Sequence, residues 1–129
     1  QKDEPLLKDA IYIGTSVIEA VGITYAMKYT IDRQRPFEKY PGKIRPIEPE
    51  DSPSFPSGHT SAAFALFVCM ALVTPRKWAP LWITAAWAVA YSRIYLSQHF
   101  LEDILLGSII GVISSCAVFM LMNHYVKNQ

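Results

Sequence analysis

Lys28 with Arg35-Pro36, the run Pro56-Ser57-Gly58-His59, and Ser92-Arg93 with His99 and Asp103 hold the chemistry of this chain. Together they supply three cations, two histidines, a carboxylate and a glycine-containing turn, an inventory that suits a phosphate ester attacked by a histidine. His99 and Asp103 are four residues apart and share a face if helical. A carboxylate that accepts a hydrogen bond from one imidazole nitrogen fixes the tautomer and leaves a lone pair on the other, as a nucleophile needs. His59 can give the departing oxygen its proton. Lys28, Arg35 and Arg93 can neutralise the non-bridging oxygens as charge spreads in the transition state. Gly58 lets backbone approach closely, and Ser57 can cap a helix whose unpaired N–H groups welcome an anion.

Each part has a plainer reading when taken alone. Ser-Gly before a helix is ordinarily a cap, and a His/Asp pair at this spacing is ordinarily a surface contact. His59, His99 and Asp103 could also ligate a metal, but three cations in the same pocket would oppose a dication. No metal or other cofactor is therefore expected. Arg33, Lys39, Lys43 and Arg45 have no comparable partner pattern and are expected to be solvated. His124 is expected at a surface or interface.

Four helices would gather these residues. The first is expected over about 7–30, where Ala10, Gly14, Gly22 and Ala26 form a stripe suited to close packing, with Glu19 on another face. Six prolines between 36 and 56 break any helix or strand there, and Glu38, Lys39, Lys43, Arg45, Glu48, Glu50 and Asp51 keep this connection wet, as a solvated connector or a substrate collar. Further helices are expected over about 57–74, 80–94 and 98–125. In an antiparallel bundle alternate ends coincide. Lys28 and Arg35 end the first helix, Ser57, Gly58 and His59 begin the second, Arg93 ends the third, and His99 and Asp103 open the fourth. All eight positions fall at one end.

The 129 residues fit one domain. A net charge of +1 provides no basic field for nucleic acid. The composition is 51% hydrophobic and 18% charged, intermediate between a soluble domain and a membrane bundle. The stretch 104–126 has no Asp, Glu, Lys or Arg. Its 23 residues would reach about 34 Å as a helix, enough for a bilayer core. Gly107 and Gly111 add a Gly-x-x-x-Gly pair on the Asp103 face. Trp78 and Trp82 beside Arg76 and Lys77 fit a membrane interface or simple packing. The chain is therefore expected to be membrane-embedded and in contact with lipid. Cys69 and Cys116 are expected to be buried, inert thiols. The opening Gln1-Lys2-Asp3-Glu4-Pro5 has no feature of a cleavable signal.

These motifs resemble those of the type-2 phosphatidic acid phosphatase superfamily, which includes bacterial acid phosphatases and vanadium haloperoxidases. Lys-x6-Arg-Pro matches Lys28 to Pro36, Pro-Ser-Gly-His matches Pro56 to His59, and Ser-Arg-x5-His-x3-Asp matches Ser92 to Asp103. The resemblance implies an all-α, transmembrane antiparallel bundle. It implies a metal-independent phosphatase with a phosphohistidine intermediate on His99, Asp103 orienting His99, and His59 as general acid. Lys28, Arg35, Ser57, Gly58 and Arg93 would hold the phosphate. The substrate would be a lipid phosphate monoester or pyrophosphate, and the site would face the periplasm or exterior of a bacterial inner membrane. A vanadium-dependent haloperoxidase and a soluble non-specific acid phosphatase are the alternatives. Membrane members usually have two helices before the first motif, whereas 27 residues precede Lys28 here. Residues 1–129 are therefore expected to form a single catalytic domain without the family's N-terminal helices.

Overall fold

The computed structural model describes residues 4–128. Gln1, Lys2 and Asp3 of the polar opening lie outside these. Helix α1 spans Glu4–Ile31, and a single turn, α2, spans Pro36–Lys39. The three other helices are α3 at Gly58–Val73, α4 at Ala79–Tyr95 and α5 at Leu101–Lys127. There is no strand among the described residues. Helix α3 is the hub, packing on α1, α4 and α5. Helix α1 also packs on α5, α4 barely touches it, and α1 and α4 flank α3 without meeting.

Local chemistry explains most boundaries. Ser57 caps α3, its hydroxyl accepting from the Thr60 N–H at 3.3 Å. Pro36 stands at N1 of α2, where its missing donor costs nothing. The proline-rich stretch thus admits one helical turn that its composition had seemed to forbid. Helix α5 begins at Leu101, later than expected, because the Asp103 carboxylate turns back to accept from the Phe100 N–H at 2.8 Å. His99 therefore lies in the approach to the helix, not in its first turn.

The interior is rich in small and hydroxylated residues, set around Phe64, Ile104, Ile110 and Val118. A Cβ on Gly107 would stand 2.8 Å from the Ser57 carbonyl oxygen, and one on Gly111 only 2.6 Å from Phe64 Cβ and the Ser61 carbonyl. This pair brings α5 onto α3 at a distance no larger residue permits. Tyr12 donates to the Ser115 carbonyl at 3.0 Å, and Thr24 to the Ser61 hydroxyl at 2.8 Å. Large apolar side chains point outward instead, among them Ile18 on α1, Trp87 and Tyr91 on α4, and Ile113 and Leu121 on α5. Trp82 donates to the Thr74 hydroxyl at 2.9 Å and closes the α3–α4 turn, whereas Trp78 is exposed beside Lys77.

Two expectations about facing fail. The buried face of α1 is Tyr12, Ser16, Ala20, Thr24 and Lys28. The stripe of Ala10, Gly14, Gly22 and Ala26 is exposed, and nothing lies within 4 Å of a Cβ added to either glycine. Cys69 is buried, but Cys116 is exposed. Both errors have one cause: where the outer face is apolar too, hydropathy does not distinguish inside from outside.

Candidate functional site

Lys28, Arg35, Ser57, Gly58, His59, Arg93, His99 and Asp103 all come to the same end of the bundle. Lys28 ends the buried face of α1 and donates to the Pro53 carbonyl. Arg35 is wholly buried just past α1. Its Nε donates to the Ser52 carbonyl at 2.8 Å, one terminal nitrogen to the Gln98 carbonyl at 3.0 Å, and the other to Glu50 at 2.7 Å and the Ser52 hydroxyl at 3.0 Å. The guanidinium therefore binds the 50–52 segment to the turn before α5. The Phe55–Pro56 peptide bond that leads into α3 is cis.

The His99 imidazole is held between a carboxylate and a guanidinium. Nδ1 lies 3.3 Å from Asp103 Oδ2, and Nε2 lies 3.3 Å from an Arg35 terminal nitrogen. A guanidinium can only donate, so Nε2 accepts and the proton sits on Nδ1, facing Asp103. Burial, aided by the Arg35 charge, holds His99 below the usual histidine range, while its hydrogen bond to Asp103 pulls the other way. The geometry places the lone pair on Nε2, and burial disfavours a second proton on the ring.

Asp103 is wholly buried and its acceptor positions are filled. Oδ2 accepts from the Ser54 hydroxyl, the Phe100 N–H and His99, and Oδ1 accepts from Arg33 at 3.0 Å. Its carbonyl oxygen accepts from the Ser57 N–H at 3.0 Å, which fastens the start of α3 to the start of α5.

A cavity of about 220 Å³ opens at this end, lined by Lys28, Glu50, Ser52, Gly58, His59 and His99, with Val21, Tyr25 and Ala62 forming an apolar wall between α1 and α3. His59 is more than half exposed. Arg93, at the end of α4, borders the neighbouring space, its terminal nitrogen 3.9 Å from Glu50. A buried imidazole with its lone pair on Nε2, a second histidine open to solvent and Lys28 border this space, with Arg35 and Arg93 close behind Glu50, an arrangement that can accept a tetrahedral oxyanion and move a proton to it.

Sequence reasoning missed four participants. Arg33, expected to be solvated, bonds Asp103 and lies 4.5 Å from the centre of the Phe100 ring. Ser54 also holds Asp103, and Gln98 holds Arg35 by its carbonyl oxygen. Glu50, expected to keep the connection wet, points into the cation cluster. Arg33 sits two residues before Arg35 in the same short turn, which was a usable signal, whereas nothing in the pattern marked Glu50. Lys39, Lys43 and Arg45 are exposed as expected, and so is His124.

Residues 9–127 match the model of the PAP2 superfamily. The chain belongs to the PAP2 superfamily. It is 36% identical over 86 residues to the bacitracin transport permease protein BcrC of Bacillus licheniformis, covering 66% of this chain and 41% of that one. It is 30% identical over 105 residues to an undecaprenyl-diphosphatase of Sulfolobus acidocaldarius, covering 81% of this chain and 50% of that one. The chain thus spans about half the length of these PAP2 relatives or less. Among solved structures it is similar to a transmembrane PAP2-type phosphatidylglycerolphosphate phosphatase from Bacillus subtilis. The TM-score is 0.70 at 25% identity, over 92% of this chain and 59% of that one.

Proposed function

We propose that this PAP2 chain is the catalytic part of an integral membrane phosphatase that hydrolyses a lipid phosphate monoester or pyrophosphate without a metal. The observation that carries this reading is the cavity where His99 meets His59, Lys28 and Gly58 beside an apolar wall. The phosphoryl group occupies the polar part, bound by Lys28, Arg35, Arg93, the Ser57 hydroxyl and the backbone at Gly58. The lipid chain leaves along Val21, Tyr25 and Ala62.

In the first step His99 Nε2 releases Arg35 and attacks phosphorus. The bond to the lipid oxygen breaks as His59 gives that oxygen a proton, and a phosphohistidine forms. Asp103 holds the Nδ1 proton and stabilises the positive ring. In the second step His59, now neutral, takes a proton from water as the water oxygen attacks phosphorus. Inorganic phosphate leaves and His99 is restored, with one water consumed. The exposure of His59 supports its exchange of protons with solvent.

The lipid assignment rests on the bundle itself. The segment Glu4–Lys39 and helix α5 are both long and apolar enough to cross a membrane, and only 22% and 44% of their apolar windows are buried. A small, hydroxylated interior beneath a large apolar exterior is suited to lipid and not to water. The names of the relatives, an undecaprenyl-diphosphatase and a phosphatidylglycerolphosphate phosphatase, support carrying both a pyrophosphate and a monoester as candidate substrates. The site end is assigned to the periplasmic or exterior face, which an impermeant maleimide applied to intact cells bearing Lys43→Cys would test.

The deciding experiment measures phosphate release from phosphatidate, phosphatidylglycerol phosphate and a polyprenyl pyrophosphate in detergent with a chelator present. Release from at least one is expected, with loss of activity and of acid-labile phosphorylated protein in His99→Ala. Full activity in that variant would end the proposed mechanism.

A further inference from the structure

Glu50 occupies the place that a phosphate would take. One carboxylate oxygen lies 2.7 Å from Arg35, and the other lies 3.9 Å from both Arg93 and His59 Nδ1. The same residue lines the cavity with Lys28, Gly58 and His99. Two of the groups assigned to the substrate phosphoryl group, Arg35 and Arg93, and the assigned proton donor His59 thus already face an anion supplied by the chain. Two anions cannot share these partners, because their mutual repulsion would add to the loss of contacts.

The backbone beside Glu50 is tied down, whereas its side chain is held through the carboxylate alone. Gln98 donates to the Glu48 carbonyl, and Arg35 grips Ser52 through both carbonyl and hydroxyl. Between these anchors the Glu50 side chain is 33% exposed. It also borders a second cavity of about 400 Å³, on the side of Ile47, Pro49, Leu96 and Gln98. Arg93 lines that cavity as well. Glu50 thus stands at the border of both spaces, with Arg93 beside it.

We propose that Glu50 is a displaceable stand-in for phosphate. Without substrate it keeps Arg35, Arg93 and His59 arranged around an anion. A phosphoryl dianion, with more charge and more acceptor oxygens than a carboxylate, expels it into the neighbouring cavity. Glu50 thereby sets a threshold that favours dianionic phosphoryl groups over singly charged anions. The proposal rests on the phosphatase reading for the identity of the anion but requires no turnover.

The test is direct binding of inorganic phosphate and of vanadate to the full chain in detergent, by calorimetry. Glu50→Gln keeps the size of the side chain and removes its charge, and is expected to tighten both anions by at least about tenfold. Leu96→Trp narrows the receiving cavity and is expected to weaken both by about fivefold or more. The second variant leaves the Arg35–Glu50 pair in place, so it still decides the matter if Glu50→Gln does not fold. Unchanged or weaker phosphate binding in folded Glu50→Gln would overturn the proposal, as would unchanged binding in Leu96→Trp. Absence of lipid phosphatase activity in the wild-type chain would count against the phosphatase reading, and these binding shifts would still decide the role of Glu50.

Discussion

Gly107→Ala tests the link between helix packing and the site most directly. The added Cβ would stand 2.8 Å from the Ser57 carbonyl oxygen and 3.2 Å from Thr60 Cβ. Ordinary contact begins at 3.4 Å, so α3 must retreat by about 0.6 Å at the residue that leads into Gly58 and His59. Overpacking of this kind costs roughly 1–3 kcal/mol. The retreat also strains the bond from the Ser57 N–H to the Asp103 carbonyl, which sets α3 against His99 and Asp103. A displacement of about 1 Å can cost about 100-fold in rate, so a loss of roughly 10- to 100-fold in kcat is expected. Gly14→Ala is the control: nothing lies within 4 Å of its new methyl group. It should leave turnover unchanged and gain up to about 1 kcal/mol from helix propensity. The assay is phosphate release per folded protein, with folding monitored by size exclusion and thermal unfolding in the same detergent. Wild-type turnover in Gly107→Ala, or equal damage from Gly14→Ala, would refute the reasoning.

Gly111→Ala meets Phe64 Cβ and the Ser61 carbonyl at 2.6 Å, one helical turn farther from the site. It should lower the unfolding midpoint at least as much as Gly107→Ala while reducing kcat less. Arg33→Ala removes a charged donor from Asp103. Such a bond is worth about 1.5–3 kcal/mol and less for a side chain 30% exposed, so kcat/KM should fall about tenfold, with partial recovery in Arg33→Lys; no change would exclude Arg33 from positioning Asp103. Burial lowers the pKa of His99, so the folded chain resists protonation there while the unfolded chain binds a proton near pH 6.5. This group's contribution to stability is therefore complete above pH 6.5 and declines as pH falls through the folded value. A ¹⁵N-histidine NMR titration should show His99 with a midpoint below 6.5, and a midpoint above 6.5 would contradict the burial argument.

The residues of the three motifs were legible as one site because helix connectivity alone returns their ends to one place. Ser57 as a cap and Gly107 and Gly111 as a close-packing pair were legible for equally local reasons. The inner face of α1 was not. Its buried positions include Ser16, Thr24 and Lys28, and the stripe of Ala10, Gly14, Gly22 and Ala26 faces outward, so neither polarity nor that small-residue spacing pointed the right way. Arg33 and Glu50 were missed for another reason. Both belong to irregular backbone whose path is set by Arg35 gripping Ser52 and by Gln98 gripping the Glu48 carbonyl, contacts made across the fold and not along the chain.

The attachment of α3 to α5 at Ser57 and Asp103, set against the near absence of contact between α4 and α5, divides the molecule unevenly. His99, Asp103 and the Ser57–Gly58 turn are joined by hydrogen bonds. Arg93 arrives on a helix held almost entirely through α3, and Glu50 on a loop held by side chains. A change in the angle of α4 or in the 40–56 path can therefore move Arg93 and Glu50 while His99, Asp103 and Ser57 keep their mutual geometry. Under the proposed function, sequence drift on those two parts is an open route to new lipid specificities within an unchanged chemistry.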